Sequence, residues 1–113
     1  MNVDVANNII ENDSSASASY NGIYMGAGTM ARANRLTLVK GNAAIATQNS
    51  SLAAQNLITG SRSGPTYGIR AVGGSTGIVA EYNYATGTFG SAAFSNSGGG
   101  GNPNFSATTN LVL

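Results

Sequence analysis

The side chains able to do chemistry are few, and their spacing does not suit a catalyst. The 113-residue chain has no Cys and no His. It therefore lacks thiolate nucleophiles, zinc–sulfur sites, the commonest general base and the commonest metal ligand. Four carboxylates remain: Asp4, Glu11, Asp13 and Glu81. Glu11 and Asp13 stand two apart and would share one face of a strand. There a carboxylate pair does acid–base work or, with Asn12 and Ser14, holds Ca²⁺ weakly. No EF-hand spacing surrounds them, and a solvated acidic patch is the simpler reading. Ser and Thr are plentiful, but a nucleophilic hydroxyl needs an activating base, and Lys40 is the only lysine. Two glycine clusters, Gly22–Gly28 and Gly68–Gly74, look superficially like phosphate loops. Neither is followed by Lys-Ser or Lys-Thr, and neither opens a helix, so tight turns explain them better. No catalytic, cofactor-binding or metal-ligating residue is assigned, no cofactor is expected, and the chain is not expected to be an enzyme.

Binding chemistry is almost as sparse. Five Lys+Arg against four Asp+Glu leave a net charge of +1, which gives no basic stripe for nucleic acid. No apolar run approaches the roughly 20 residues of a membrane helix, so no membrane insertion is expected. Tyr82 and Tyr84 are expected on one strand face, where two rings can stack on a sugar; this keeps a surface or glycan contact open. Cross-strand packing, or an aromatic ladder between subunits, competes with that reading. Sequons at Asn12, Asn49 and Asn104 matter only if a glycosylating cell exports the chain. Weak self-repulsion favours association, so the expected partner is the chain itself. Acidic Asp4, Glu11 and Asp13 precede basic Arg32, Arg35, Lys40, Arg62 and Arg70, and a head-to-tail polymer would pair the two groups; scattered solvated charges are the simpler alternative.

The elements that must position these residues are short. Gly, Ala, Asn, Ser and Thr make up 62 % of the chain, whereas Leu, Ile, Val and Phe make up about 19 %. So few large apolar residues would suit disorder, but disorder normally brings high net charge. Closely packed strands of small residues satisfy the backbone instead. Ser15–Tyr20 alternates with period two. Asn21-Gly22 and Gly41-Asn42 read as hairpin turns. Strands are expected at 23–25, 36–39, 43–47, 66–72, 77–84 and 88–94, with turns at 73–76 and 85–87. The last three of these strands would form a meander. Ser51 as N-cap and Gly60 as C′ residue predict a short helix near 51–59. Asn21-Gly22-Ile23 returns as Tyr67-Gly68-Ile69 at an offset of 46, with Gly28 and Thr29 matching Gly74 and Ser75, a faint internal repeat. Residues 1–94 read as one β-rich assembly domain, 95–103 as a Gly/Asn/Ser linker, and 104–113 as a C-terminal β-strand tail. That tail either pairs with a neighbour's sheet edge or folds back on its own sheet.

Two resemblances accord with this composition. Tyr20–Gly28 with Ala33-Asn34, and then Gly41–Asn49, resemble the curli-like fibre proteins and other functional amyloids of bacterial biofilms. Gly26–Ala31, Leu36 and Ala53-Ala54-Gln55-Asn56 resemble, more loosely, the killing-trait proteins that assemble into R-bodies. Both imply a homopolymer subunit, extended and extracellular or at the cell surface in the first case, helical and intracellular in the second. Met1–Ile10 has neither a basic n-region nor an apolar h-region, so export would follow a signal-free route or the removal of a leader.

The expectation is an all-β fold of short strands with tight Gly/Asn turns, as a meander or as a cross-β or solenoid-like stack. It would self-assemble into a filament or ribbon through inter-subunit β-sheet contacts, carried by 35–47, 66–94 and 105–113. A small β-sandwich binding module, for carbohydrate or as a phage or capsid surface component, is the alternative.

Overall fold

Corner-forming residues interrupt the alternating pattern every few positions, so the strands are only two to five residues long. The computed structural model describes residues 3–96, 102, 105, 106 and 108–113. Its first coil contains β1 (Asp4–Ala6), β2 (Ile9–Glu11) and β3 (Asn21–Tyr24). The second contains β4 (Met30–Arg32), β5 (Arg35–Leu38) and β6 (Ala43–Thr47). The third contains β7 (Leu52–Ala54), β8 (Leu57–Gly60) and β9 (Tyr67–Ala71), and the fourth β10 (Val79–Glu81), β11 (Tyr84–Gly87) and β12 (Ala92–Ser95). A partial fifth coil adds a parallel bridge from Phe105 to Ala80 and β13 (Leu111–Val112). Three wholly parallel sheets result, ordered β1-β4-β7-β10, β2-β5-β8-β11-β13 and β3-β6-β9-β12. The chain is an all-β, three-sided parallel β-solenoid.

In-register parallel pairing places like positions above one another, and the core is built from these columns. Val5, Ala31, Ala53 and Ala80 line the inside of the first sheet. Ile10, Leu36, Ile58, Ala85 and Val112 line the second, and Ile23, Ile45, Ile69 and Phe94 the third. Leu36, Ile45, Ile58 and Ile69 are fully buried, each worth about 1.5–3 kcal/mol of burial. The alanine column keeps the first wall close to the other two, which explains how a chain poor in large apolar residues fills its interior.

Several local expectations are corrected. Residues 51–59 form no helix: β7 and β8 meet at a corner where Gln55 takes φ 57° and Asn56 follows. Two short period-two runs on either side of that corner imitate helical spacing. Ser51 Oγ donates to the Gln48 carbonyl at 2.6 Å. Gly60 lies in β8, where a Cβ would collide with the Thr88 backbone. The two hairpins and the meander are absent as well, because every strand pair is parallel. Asn21-Gly22 lies inside β3, and Gly41-Asn42 leads into β6. Ile23, Ile45 and Ile69 come into one column through parallel coils, which hairpins would not allow.

Ser15–Tyr20 forms turns, since Asp13 and Ser17 capture the amides of Ser15 and Ser19, a local competition with strand pairing that Ser and Asp favour. The run 77–84 breaks at Tyr82-Asn83, and Tyr84–Gly87 is strand rather than turn. The helical build implied by the R-body resemblance is not adopted; no helix occurs among the described residues. Of the expected linker, 97–101 and 103 lie outside the described residues, while Ser95 closes β12 and Asn96 bonds Asn102. In the tail, 104 and 107 also lie outside them. Leu111–Val112 folds back on the chain's own β11.

Candidate functional site

The first corner of each coil is built the same way. One residue takes a left-handed conformation, Asn7, Ala33, Gln55 and Tyr82 having φ between 54° and 59°. An asparagine follows each of them: Asn8, Asn34, Asn56 and Asn83. Asn110 occupies the same position in the fifth coil, and the five amides form a ladder along the solenoid. Asn34 donates its backbone N–H and its Nδ2 to Asn56 Oδ1, both at 3.0 Å. Asn8 does the same to Asn34, Asn56 to Asn83, and Asn83 to Asn110. The second Nδ2 hydrogen reaches back to the inward residue of the coil before, Val5, Ala31, Ala53 or Ala80. Asn34, Asn56 and Asn83 are fully buried, and an unmatched amide there would cost about 1–3 kcal/mol. Among the described residues no buried side-chain polar atom lacks a hydrogen-bond partner.

The ladder has two unlike ends. At the first coil Asn8 is exposed and its Oδ1 accepts from no described residue, whereas every later Oδ1 in the ladder accepts twice. At the fifth coil Asn110 spends both Nδ2 hydrogens on Ala80 O and Ser106 O, so its amide does not repeat the donation to a following coil that the earlier asparagines make. The sheets are open at the same places. β1, β2 and β3 each have a neighbour on one side only, as do β12 and β13. Large apolar side chains crowd these ends: Ile9 is 72 % exposed on β2, Val112 65 % and Leu113 71 % at β13. A cavity of about 460 Å³ opens at the fifth coil, lined by Phe94, Phe105 and Val112 with Asn96, Ser106 and Asn110. Phe94 and Val112 are the last members of two inward columns, and Phe105 extends the third beyond Ala80.

The residues singled out in the sequence do not converge. Glu11 ends β2, while Asp13 sits in a turn where the Ser15 hydroxyl and amide bond its carboxylate. Those two bonds, the hydroxyl's first, hold the Asp13 carboxyl below its usual range. Asp4 pairs with Arg32 of its own chain at 2.8 Å, an exposed bridge of little energetic weight, so that acidic group is already engaged. Tyr82 and Tyr84 are both exposed but do not share a strand; Tyr82 forms the corner and Tyr84 begins β11. Arg70 lies over the Tyr67 ring at 5.1 Å and reaches Asn42 Oδ1 at 3.3 Å. Asn12 Oδ1 accepts from the Val39 amide at 2.8 Å, and Asn49 Oδ1 from Thr76 at 2.7 Å. No group of three or more metal-ligating side chains occurs among the described residues. No helix among them is long and apolar enough to cross a membrane.

Of the segments expected to carry contacts, 35–47 lies in strands paired on both sides. Within 66–94 only β10 and β12 lie at a sheet end, and 105–113 holds the rest of that end. The opposite end, β1 to β3, was singled out for contacts in the sequence only through the acidic Asp4, Glu11 and Asp13, and not as a strand edge. The recurring asparagine at the first corner was the available signal, obscured because successive ladder asparagines stand 26, 22, 27 and 27 residues apart. Compared with known proteins, the chain matches no family model, no curated protein and no solved structure.

Proposed function

We propose that the chain is a structural subunit that self-assembles into a homopolymeric filament through β-sheet contacts, at the cell surface or outside the cell. The observation that carries this reading is the pair of open solenoid ends, with Ile9 exposed at one and Val112 and Leu113 at the other. Proteins normally blunt such edges with lysines, proline or a covering element, because unpaired N–H and C=O groups template further strands. β13 carries no charge and no proline. A net charge of +1 adds little repulsion between copies. The dispersed titratable groups leave no converging set for catalysis, and rigid coils of small residues suit a structural material. Negative-stain electron microscopy and sedimentation of the full chain over a range of concentrations test the proposal. Filaments whose diffraction carries a spacing of about 4.7–4.9 Å along the axis are expected, because the strands run across a solenoid's long direction. A monodisperse monomer at high concentration overturns it.

A further inference from the structure

Resting on that self-assembly reading, we infer a specific joint: the fifth coil of one copy receives the first coil of a second copy, head to tail, in the register that continues the asparagine ladder. The hydrogen-bonding groups and the side-chain columns at the two ends fit this arrangement.

The hydrogen-bonding groups are complementary in polarity. Along the ladder, each asparagine N–H donates to Oδ1 of the asparagine in the next coil. Asn8 Oδ1 accepts from no described residue, so it is the acceptor at which a preceding coil would continue the series, and Asn110 of another copy holds the matching position. A second series runs the other way. Arg35 N donates to Asn8 O, Leu57 N to Asn34 O, Tyr84 N to Asn56 O and Leu111 N to Asn83 O. Its next member is the Ile9 amide of the incoming copy donating to Asn110 O.

The side chains match in the same register. Setting Asn8 over Asn110 sets Ile9 over Leu111 on the outside and Ile10 over Val112 on the inside, continuing the columns of the second sheet. The inward columns that finish at Phe105 and Val112 begin at Val5 and Ile10 and continue directly, while the third sheet ends one coil earlier, at Phe94, and resumes at Ile23 after a one-strand gap. The incoming first coil thus places apolar side chains over the cavity at the fifth coil. Head-to-head contact would face Asn8 Oδ1 with another acceptor, and neither symmetric contact continues the parallel, in-register columns. The joint is therefore heterologous, and such contacts generate open chains unless a rotation closes them.

Cysteine cross-linking tests the joint in a chain that has no native cysteine. Adjacent strands lie about 4.7–4.9 Å apart, within the Cα separations a disulfide spans. Ile9→Cys and Leu111→Cys both alter exposed positions. Under oxidation the double variant is expected to run as a ladder of covalent multimers on a non-reducing gel. An equal mixture of the two single variants is expected to give dimers, and each single variant alone to remain monomeric. Dimers from Ile9→Cys alone, or filaments of the double variant without cross-links, overturn the joint while leaving self-assembly standing. Failure of the unmodified chain to assemble at any concentration overturns both. Val112→Lys gives a second readout. It is expected to raise the concentration needed for assembly about tenfold or more with the circular dichroism of the monomer unchanged, and unaltered assembly counts against the joint.

Discussion

The corner between the first and second sheets and the corner between the second and third solve the same problem differently. The first uses two residues, one left-handed and one asparagine, and repeats them in each of the four full coils. The second uses whatever length is at hand, from Asn12–Tyr20 in the first coil to Val39–Asn42 in the second. At the first corner the coils bond each other side chain to side chain, so position along the axis is fixed to within a hydrogen bond. At the second corner some polar groups are answered within the coil, as where Asp13 binds Ser15 and Ser17 binds Ser19, and the bonds to the next coil come from unlike side chains, such as Asn12 to Val39 and Ser63 to Val39. A solenoid needs only one strict corner to hold its register. The others then vary freely, since loop length costs little closure entropy.

The largest expected effect comes from cutting the strict corner. Asn56→Ala strands the backbone N–H and Nδ2 of Asn34, and takes partners from Asn83 Oδ1 and Ala31 O. With orphaned buried groups at about 1–3 kcal/mol each, a loss of about 3–6 kcal/mol is expected in urea unfolding, a large part of a small domain's stability. Asn12→Ala is the matched control. It removes bonds to the Val39 and Lys40 amides at the rim of the loose corner, where water substitutes, so about 1 kcal/mol or less is expected. Similar losses for the two would abolish the distinction between the corners.

A smaller effect of opposite sign is expected from the left-handed position. Ala33 has φ 54° with no special side chain to support it. An L-residue there carries about 1–2 kcal/mol of steric cost, and glycine escapes it at an entropic cost of about 0.5–1 kcal/mol. Ala33→Gly should therefore raise the unfolding free energy by up to about 1 kcal/mol, read as a higher melting midpoint. A fall in the midpoint would mean that Ala33 contributes packing that the corner geometry does not reveal.

The same contrast explains what was legible in the sequence. The all-β class, and the strands found within 36–39, 43–47 and 66–72, followed from compact β-prone runs bounded by Gly and Asn. The offset of 46 between Gly22-Ile23 and Gly68-Ile69 is two coils of the third sheet, so that repeat was real. Its companion match was not, because Gly28 corresponds by coil to Ser50 and Gly77 rather than to Gly74. The parallel path was hidden, since Asn-Gly favours a hairpin locally while the stacking of Ile23, Ile45 and Ile69 is visible only once coils are aligned. Alignment was in turn concealed by the loose corner, which changes the coil length. The ladder escaped notice for a related reason. Asn56 and Asn83 look like turn residues one at a time, and only their mutual bonds show that they are core.

The smallest effect separates the corners by pH. The carboxylate of Asp13 is bonded by the Ser15 hydroxyl and amide, and its folded pKa lies below the ordinary 3.8. A carboxyl depressed on folding adds stability above its unfolded pKa and loses it as pH falls through the folded value. The turn at Asp13–Ser15 should therefore loosen only below about pH 3.8, seen as a shift of the Ser15 amide resonance with a midpoint in that range. The ladder amides have no proton to gain there. Asn34, Asn56 and Asn83 should keep their slow hydrogen exchange through the same titration, because their donors face other amides and not carboxylates. If protection at Asn56 fell with the Ser15 shift, the two corners would be one cooperative unit, and the looseness of the second corner would be apparent only in its length. If Ser15 moves alone, the strict corner carries the fold without help from the loop beside it.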